Sequence, residues 1–111
     1  MKIYDIKTSM PTVAVAMTML ENAIRFSRNK DKIIKIIHGY GSTGKGGAIK
    51  TATHAYLSDK QRKGEIVCFI PGEALWVPMG LDEEITKYKS LLQSDSDYKK
   101  GNDGISYVVL K

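Results

Sequence analysis

The sequence predicts an α/β fold, a two-layer βαβαβ(α)β sandwich with a mixed sheet. The length of 111 residues suits a single domain with a substantial core. Short runs of apolar residues, or of apolar and polar residues in alternation, are typical of strands. Along this chain they are separated by segments of helical periodicity. A strand–helix–strand unit places its two strands in parallel. We expect the last strand, in contrast, to pair antiparallel beside the third, which makes the sheet mixed.

The chain begins with a predicted strand and a predicted helix. The segment 2–6 alternates in polarity and carries β-branched residues, as strands do. Thr8 or Ser9 would supply a hydroxyl cap for the helix that follows, with Pro11 in its first turn. Apolar residues then recur at helical spacing over 13–26, which predicts an amphipathic helix covering one face of the sheet.

Five further elements follow the first helix. The segment 32–37 has four isoleucines around one lysine and is predicted to be a buried central strand. Helical spacing over 48–60 predicts the second helix, and the β-branched run 65–70 predicts the third strand. The apolar side of 81–93 indicates a short helix, and 105–110 is a clear last strand.

The charge of the chain is unevenly distributed. The net charge is +5, but the segment 25–63 holds ten basic and two acidic residues, whereas 65–97 holds two basic and seven acidic ones. A basic segment of this kind favours a polyanionic partner. No apolar run is long enough to span a membrane, and Met1 leads directly into the first strand, so we expect neither a membrane span nor a signal peptide. The single cysteine favours the reducing cytoplasm.

Five glycines lie within residues 39–47, directly between the central strand and the second helix. Glycines let backbone amides approach a ligand closely, and the free N–H groups and the dipole of a helix N-terminus favour anions. Tyr40 would project from this loop and stack on an unpaired base. The predicted phosphate-binding residues are Gly39, Tyr40, Gly41, Ser42, Gly44, Lys45 and Lys50.

His38 ends the central strand, where open α/β sheets place their ligands. It would either contact phosphate or transfer protons, or else act as a structural histidine that bonds the loop backbone. Asp5, at the end of the first strand, would orient His38 or hold a divalent ion, or else cap the loop that follows. His54, in the second helix, is predicted to be a surface residue.

The run Ile36–Gly41, IIHGYG, resembles the IIHGxG motif of the Smr (small MutS-related) domain family. The ending Asn102–Leu110 is similar to the Gly-rich turn and last strand of that family. The resemblance spans the chain except for about 73–101, which we interpret as a helical insertion. It implies a fold similar to the C-terminal domain of translation initiation factor three. It also implies binding of DNA or RNA, with endonuclease activity in some members.

The first strand departs from the family pattern. The family ends this strand in LDLHG, whereas here Tyr4–Thr8 keeps the aspartate and has Lys7 in place of the histidine. For a nuclease the resemblance implies catalytic roles for Asp5, Lys7 and His38, and cleavage would call for Mg²⁺ or Mn²⁺. For binding alone we expect no cofactor. The departure bears on cleavage more than on binding, because lysine is a poor acid or base at neutral pH unless its pKa is depressed.

Two other functions fit the same loop. The run 39–46 matches the GxxxxGK pattern of nucleotide-binding P-loops, but Gly46 occupies the place of the Ser or Thr that binds Mg²⁺. The loop would otherwise belong to a protein-interaction module without catalysis. We expect a monomer or a homodimer, with Leu75–Val77 as the dimer patch if it is exposed. Asp95 and Asp97 are predicted to lie in a solvated loop.

Overall fold

A computed structural model describes residues 1–9, 11–40 and 44–111, the stretch 44–46 by its backbone. It is an α/β fold built on one four-stranded sheet. The elements in chain order are β1 (Lys2–Asp5), α1 (Val13–Ser27), β2 (Ile33–Ile37), α2 (Gly44–Arg62), β3 (Cys68–Pro71), a 3₁₀ helix (Gly72–Leu75), α3 (Asp82–Lys87), α4 (Lys89–Leu92) and β4 (Ile105–Val109).

The sheet has the strand order β1-β2-β4-β3. β1 pairs parallel with β2, and β4 is antiparallel to both β2 and β3. The predicted mixed α/β sandwich is therefore confirmed, as is the antiparallel pairing of the last strand with the third. β2 and β3 run parallel to each other, as predicted, since both are antiparallel to β4. The expectation that a strand–helix–strand unit also makes them neighbours is wrong, because β4 lies between them and pairs with both.

One face of the sheet is covered by α1 and α2. The side chains of Ile34, Ile36 and Val108 point to this face and pack with Leu20 of α1 and Leu57 of α2. These residues are buried because strand side chains alternate between faces, whereas helical side chains recur every three or four positions. Within the described part of the chain, no helix is long and apolar enough to cross a membrane.

The opposite face is covered by the segment between β3 and β4. Ile33, Tyr107 and Val109 point to this side and pack with Tyr88 and Leu92. The predicted single helix over 81–93 is divided at Tyr88 into α3 and α4. The segment interpreted as an insertion therefore completes the core instead of standing apart from it. Its tip is open to solvent, since the Trp76 side chain is 72% exposed.

A charged group is buried within this second face. The Lys35 ammonium, in the middle of β2, lies 3.0 Å from Asp95 Oδ2 and 2.6 Å from Asp97 Oδ2. The Tyr107 hydroxyl donates to Asp95 at 2.7 Å, and the Asn102 amide donates to Asp97 at 3.0 Å. The prediction that Asp95 and Asp97 belong to a solvated loop is wrong, because the lysine on a central strand requires buried counter-charges.

Both helix starts differ from the prediction. Thr12 caps α1, accepting a hydrogen bond from the Val15 amide at 3.2 Å, while the Thr8 hydroxyl donates to Asp5 instead. α2 begins at Gly44, four residues before the predicted Ala48. Glycine is a poor helix former, so the glycine-rich composition of 44–47 does not by itself predict a helix there.

Candidate functional site

The candidate site lies where β1 and β2 end. The Ile6 amide donates to the Ile37 carbonyl at 3.0 Å, so the segments that follow β1 and β2 leave the sheet side by side. The amides of His38 and Gly39 both donate to the Gly104 carbonyl at 3.0 Å, which ties this turn to the approach to β4. The turn leads toward the N-terminus of α2, so the predicted arrangement of strand end, glycine turn and helix start is present.

Gly39 is required by the geometry of the turn. Its φ of +86° is a conformation that L side chains rarely adopt. A Cβ atom at this position would also lie 3.1 Å from Cδ of Lys7. The aliphatic part of Lys7 therefore crosses the backbone of the turn. Of the ion pairs found in the described residues, none includes Lys7.

His38 is fully buried beneath this turn. Its Nδ1 lies 2.9 Å from the Gly39 carbonyl oxygen, and its Nε2 lies 2.9 Å from Ser106 Oγ. A carbonyl only accepts, so Nδ1 carries the proton, and Nε2 accepts from the Ser106 hydroxyl. Burial, opposed by the bond to Gly39 and assisted by the charges of His54 and Lys50, lowers the pKa of His38 to about 4. A neutral histidine with both nitrogens bonded inside the fold matches the structural alternative rather than a direct phosphate contact.

His54 of α2 extends this hydrogen-bonded chain. Its Nε2 lies 3.1 Å from Ser106 Oγ, and its ring meets that of His38 at 87° with centroids 5.3 Å apart. Because Ser106 gives its proton to His38, it accepts one from His54 Nε2. The sequence analysis identifies neither Ser106 nor His54 as part of the site around His38, and it predicts His54 to be a surface residue. The available signal was Ser106 itself, a polar residue within an otherwise apolar strand.

Lys50, a predicted phosphate ligand, is already paired. Its ammonium lies 2.8 Å from Glu73 Oε2 in the 3₁₀ helix. Burial is the largest single influence and would raise the pKa of the Glu73 carboxyl, but the hydrogen bond from Lys50, a backbone hydrogen bond and the charges of Lys50 and His54 together lower it. The pair joins α2 to the segment that follows β3, so Lys50 contributes less free positive charge to the site than its sequence position indicates.

Asp5 is engaged within its own turn. Its Oδ1 accepts from the amides of Lys7 and Thr8, each at 2.9 Å, and its Oδ2 accepts from the Thr8 hydroxyl at 2.6 Å. Partial burial raises the pKa of the Asp5 carboxyl, but these bonds together lower it by more, so the pKa lies below its ordinary value. This geometry matches the capping alternative for Asp5.

Three of the remaining predicted ligands, Tyr40, Gly44 and Lys45, belong to the described residues, the last two by their backbone. Tyr40 is 63% exposed, with its ring edge close to Gly104. Gly44 and Lys45 belong to the first turn of α2, which has no acidic residue. Gly41 and Ser42 lie outside the described residues. Within the described residues, no group of three or more His, Cys, Asp or Glu side chains is placed to hold a metal ion.

Comparison with models of protein families, with curated proteins and with solved structures found no match to this chain. The resemblance to Smr domains therefore stays a prediction that rests on the motifs quoted above. The geometry of the site has to be interpreted from its own residues.

Proposed function

We propose that this protein binds nucleic acid, DNA or RNA, by gripping the phosphate backbone at the N-terminus of α2. One observation carries the proposal: β2 ends in a left-handed glycine turn that leads to a 19-residue helix whose first turn is Gly44-Lys45-Gly46-Gly47. The first amides of a helix have no intrahelical acceptor, and the helix dipole adds partial positive charge there. The absence of acidic residues from this turn leaves that charge available to an anion.

Three groups would complete the phosphate site. Lys45 adds a full positive charge within the first turn, and Lys7 lies against the adjoining Gly39. Tyr40, exposed on the same turn, offers an aromatic face to an unpaired base. His38 would act from beneath as a positioning residue, because its proton on Nδ1 fixes the direction of the Gly39 carbonyl. The single cysteine of the chain favours the cytoplasm as the location of this activity.

The proposal covers binding and not cleavage. His38 is buried and neutral, and Asp5 is occupied by three hydrogen bonds of its own turn. Neither group is free to move protons at a phosphodiester in this arrangement. Endonuclease activity, with Mg²⁺ or Mn²⁺, would require both to be released from these bonds.

The test is a fluorescence anisotropy titration of labelled single-stranded RNA, duplex DNA and branched DNA at low and high salt. Lys45→Ala is expected to weaken binding of every nucleic acid in this set that the parent protein binds. It should also reduce by about 1 the slope of log association constant against log salt, because one phosphate contact is lost. Adding Mg²⁺ to the same samples and resolving the products on a denaturing gel would detect cleavage.

Lys89→Ala is the matched control, since Lys89 is an exposed lysine of α4 on the other side of the sheet. It removes the same charge from the chain and should leave the salt slope nearly unchanged. Equal effects of the two substitutions would mean that only net charge matters, and the α2 site would be rejected. Negligible affinity of the parent protein at low salt would reject nucleic-acid binding altogether and favour an interaction module.

A nucleotide is the second candidate ligand, and the start of α2 favours it. Because α2 begins at Gly44, the Gly44-Lys45 pair lies in the first helical turn after a strand and a loop, as the Gly-Lys of a P-loop does. Gly46 still lacks the hydroxyl that would bind Mg²⁺. Calorimetric titration with ATP and GTP tests this candidate. Mg²⁺-dependent binding that is lost in Lys45→Ala would support it, whereas the absence of any heat of binding would exclude it.

A further inference from the structure

An open apolar groove runs between α1 and β1. Its volume is about 580 Å³, and it is lined by Tyr4, Met19, Asn22, Ala23, Arg25 and Phe26. The Phe26 ring is 58% exposed at the edge of this groove. Tyr4 is held in place because its hydroxyl lies 2.6 Å from Ser27 Oγ. The groove therefore has a fixed aromatic wall and a second aromatic ring open to solvent.

The rim of the groove is positively charged. The Lys30 ammonium lies 4.1 Å from the centre of the Phe26 ring, and the Lys2 ammonium lies 5.7 Å from it. Arg25 lines the groove itself and is largely exposed, with Glu21 3.8 Å away. Two cations thus lie near one exposed aromatic ring, and a third lines the same groove. Among the ion pairs of the described residues, one pairs any of these three cations with a carboxylate, that of Arg25 with Glu21.

The positive charge of the rim distinguishes between the ligands that could occupy an apolar groove. A second copy of the chain, docked face to face, would bring two cationic rims together, which costs free energy. A polyanion is complementary to the rim. The aromatic ring within it matches the combination of stacking surfaces and cations by which proteins bind single-stranded nucleic acid.

We propose that this groove binds an unpaired base of single-stranded nucleic acid, stacked on Phe26, with Lys2, Lys30 and Arg25 neutralising the flanking phosphates. The base takes the place over the ring that the Lys30 ammonium now occupies, and the ammonium moves to the neighbouring phosphate. The Asn22 amide, which lines the same groove, is available to hydrogen-bond a base edge. The inference rests on the proposed nucleic-acid binding and narrows it to single strands, because the bases of a duplex are already stacked on each other.

The test compares three oligonucleotides of equal length: a single strand, the same backbone with abasic positions, and a duplex. Phe26→Ala is expected to weaken binding of the single strand about fivefold or more, and to leave the abasic strand and the duplex within about twofold of the parent. Phe26→Tyr should restore most of the loss, since it keeps a stacking ring. Met79→Ala, which truncates another exposed apolar side chain, in the segment between β3 and α3, should have no effect.

A direct optical signal supplements the affinities. In a Phe26→Trp and Trp76→Phe variant the indole at position 26 is the only tryptophan, because the chain has one Trp. Stacking of a base on it should quench its fluorescence with the single strand and not with the abasic strand. Thermal unfolding of Phe26→Ala, followed by circular dichroism, confirms that an exposed truncation leaves the fold intact.

The outcomes separate this inference from the α2 site. Loss of affinity in Lys45→Ala but not in Phe26→Ala overturns the groove and leaves the α2 proposal standing. Equal losses for the normal and abasic strands overturn stacking. If sedimentation shows that Phe26→Ala converts a dimer into a monomer while affinity for the strand is unchanged, the groove is a contact between copies and the inference is wrong.

Discussion

Replacing Lys35 by methionine is expected to lower the free energy of unfolding by about 3–5 kcal/mol. The Lys35 side chain is 4% exposed and lies against the Asp95 and Asp97 carboxylates, whose side chains are 9% and 20% exposed. Burial alone would lower the pKa of Lys35, but these carboxylates raise it, so the ammonium stays charged. Methionine fills a similar volume and leaves the two carboxylates beside Tyr107 without the ammonium that bonds both of them. Urea unfolding at neutral pH measures the loss.

Lys63→Met is the matched control for this prediction. Lys63 lies 3.1 Å from Asp59, but its side chain is 60% exposed, so the same substitution should cost less than about 1 kcal/mol. Adding Asp95→Asn to Lys35→Met should recover part of the stability, because the amide keeps an acceptor for the Tyr107 hydroxyl and removes one buried charge. Equal losses for Lys35→Met and Lys63→Met would show that the network contributes no more than a surface pair.

The same network has a defined pH dependence. For Asp95, burial raises the pKa but the bonds from Tyr107 and Lys35 lower it; for Asp97, the bond from Lys35 is the main cause and the net direction is also down. A carboxyl with a lowered native pKa contributes stability above its unfolded pKa and loses it as the pH falls through the native one. The cost of Lys35→Met should therefore shrink in acid, where the two carboxylates become protonated in both variants.

Lys35 also illustrates what the sequence can predict about this fold. The four isoleucines around it predict a buried strand, and β2 is one. Nothing in the local pattern identifies its counter-charges, since Asp95 and Asp97 are 60 and 62 residues away along the chain. Prediction of the strand order from the sequence is limited in the same way. Local patterns predict which segments are strands, but the placement of β4 between β2 and β3 depends on packing between distant residues.

The candidate site was predictable to a similar degree. The left-handed turn at Gly39 and the helix start after it follow from glycine content next to an apolar run. The roles of individual polar groups did not follow, because the sequence does not show which partners are close. Lys50 is predicted from the sequence to bind phosphate but is paired with Glu73, while His38 bonds Ser106, which is 68 residues away. Nucleic-acid binding at this site remains a proposal for the titrations described above.

The second large effect is expected at His38. Acidification from about pH 7 to about pH 4.5 should remove about 2 kcal/mol of stability through this residue alone. The unfolded histidine titrates at its ordinary pKa of 6.5, whereas the native one titrates with a pKa of about 4. Between these values the unfolded state binds more protons, so stability falls as the pH falls. Urea unfolding of the parent and of His38→Gln across this range measures the effect, and the variant should show a smaller slope.

The arrangement around Ser106 gives this prediction a structural cause. Protonation of His38 at Nε2 would leave two N–H groups, from His38 and His54, directed at one Ser106 oxygen, whose own proton then loses its acceptor. Lys50 opposes a second positive charge nearby, and Glu73 favours it. The pKa of His54 is also lowered, mainly by burial, so His54→Gln is the necessary comparison. If His54→Gln abolishes the slope and His38→Gln does not, the acid-sensitive group is His54, and the prediction for His38 is wrong.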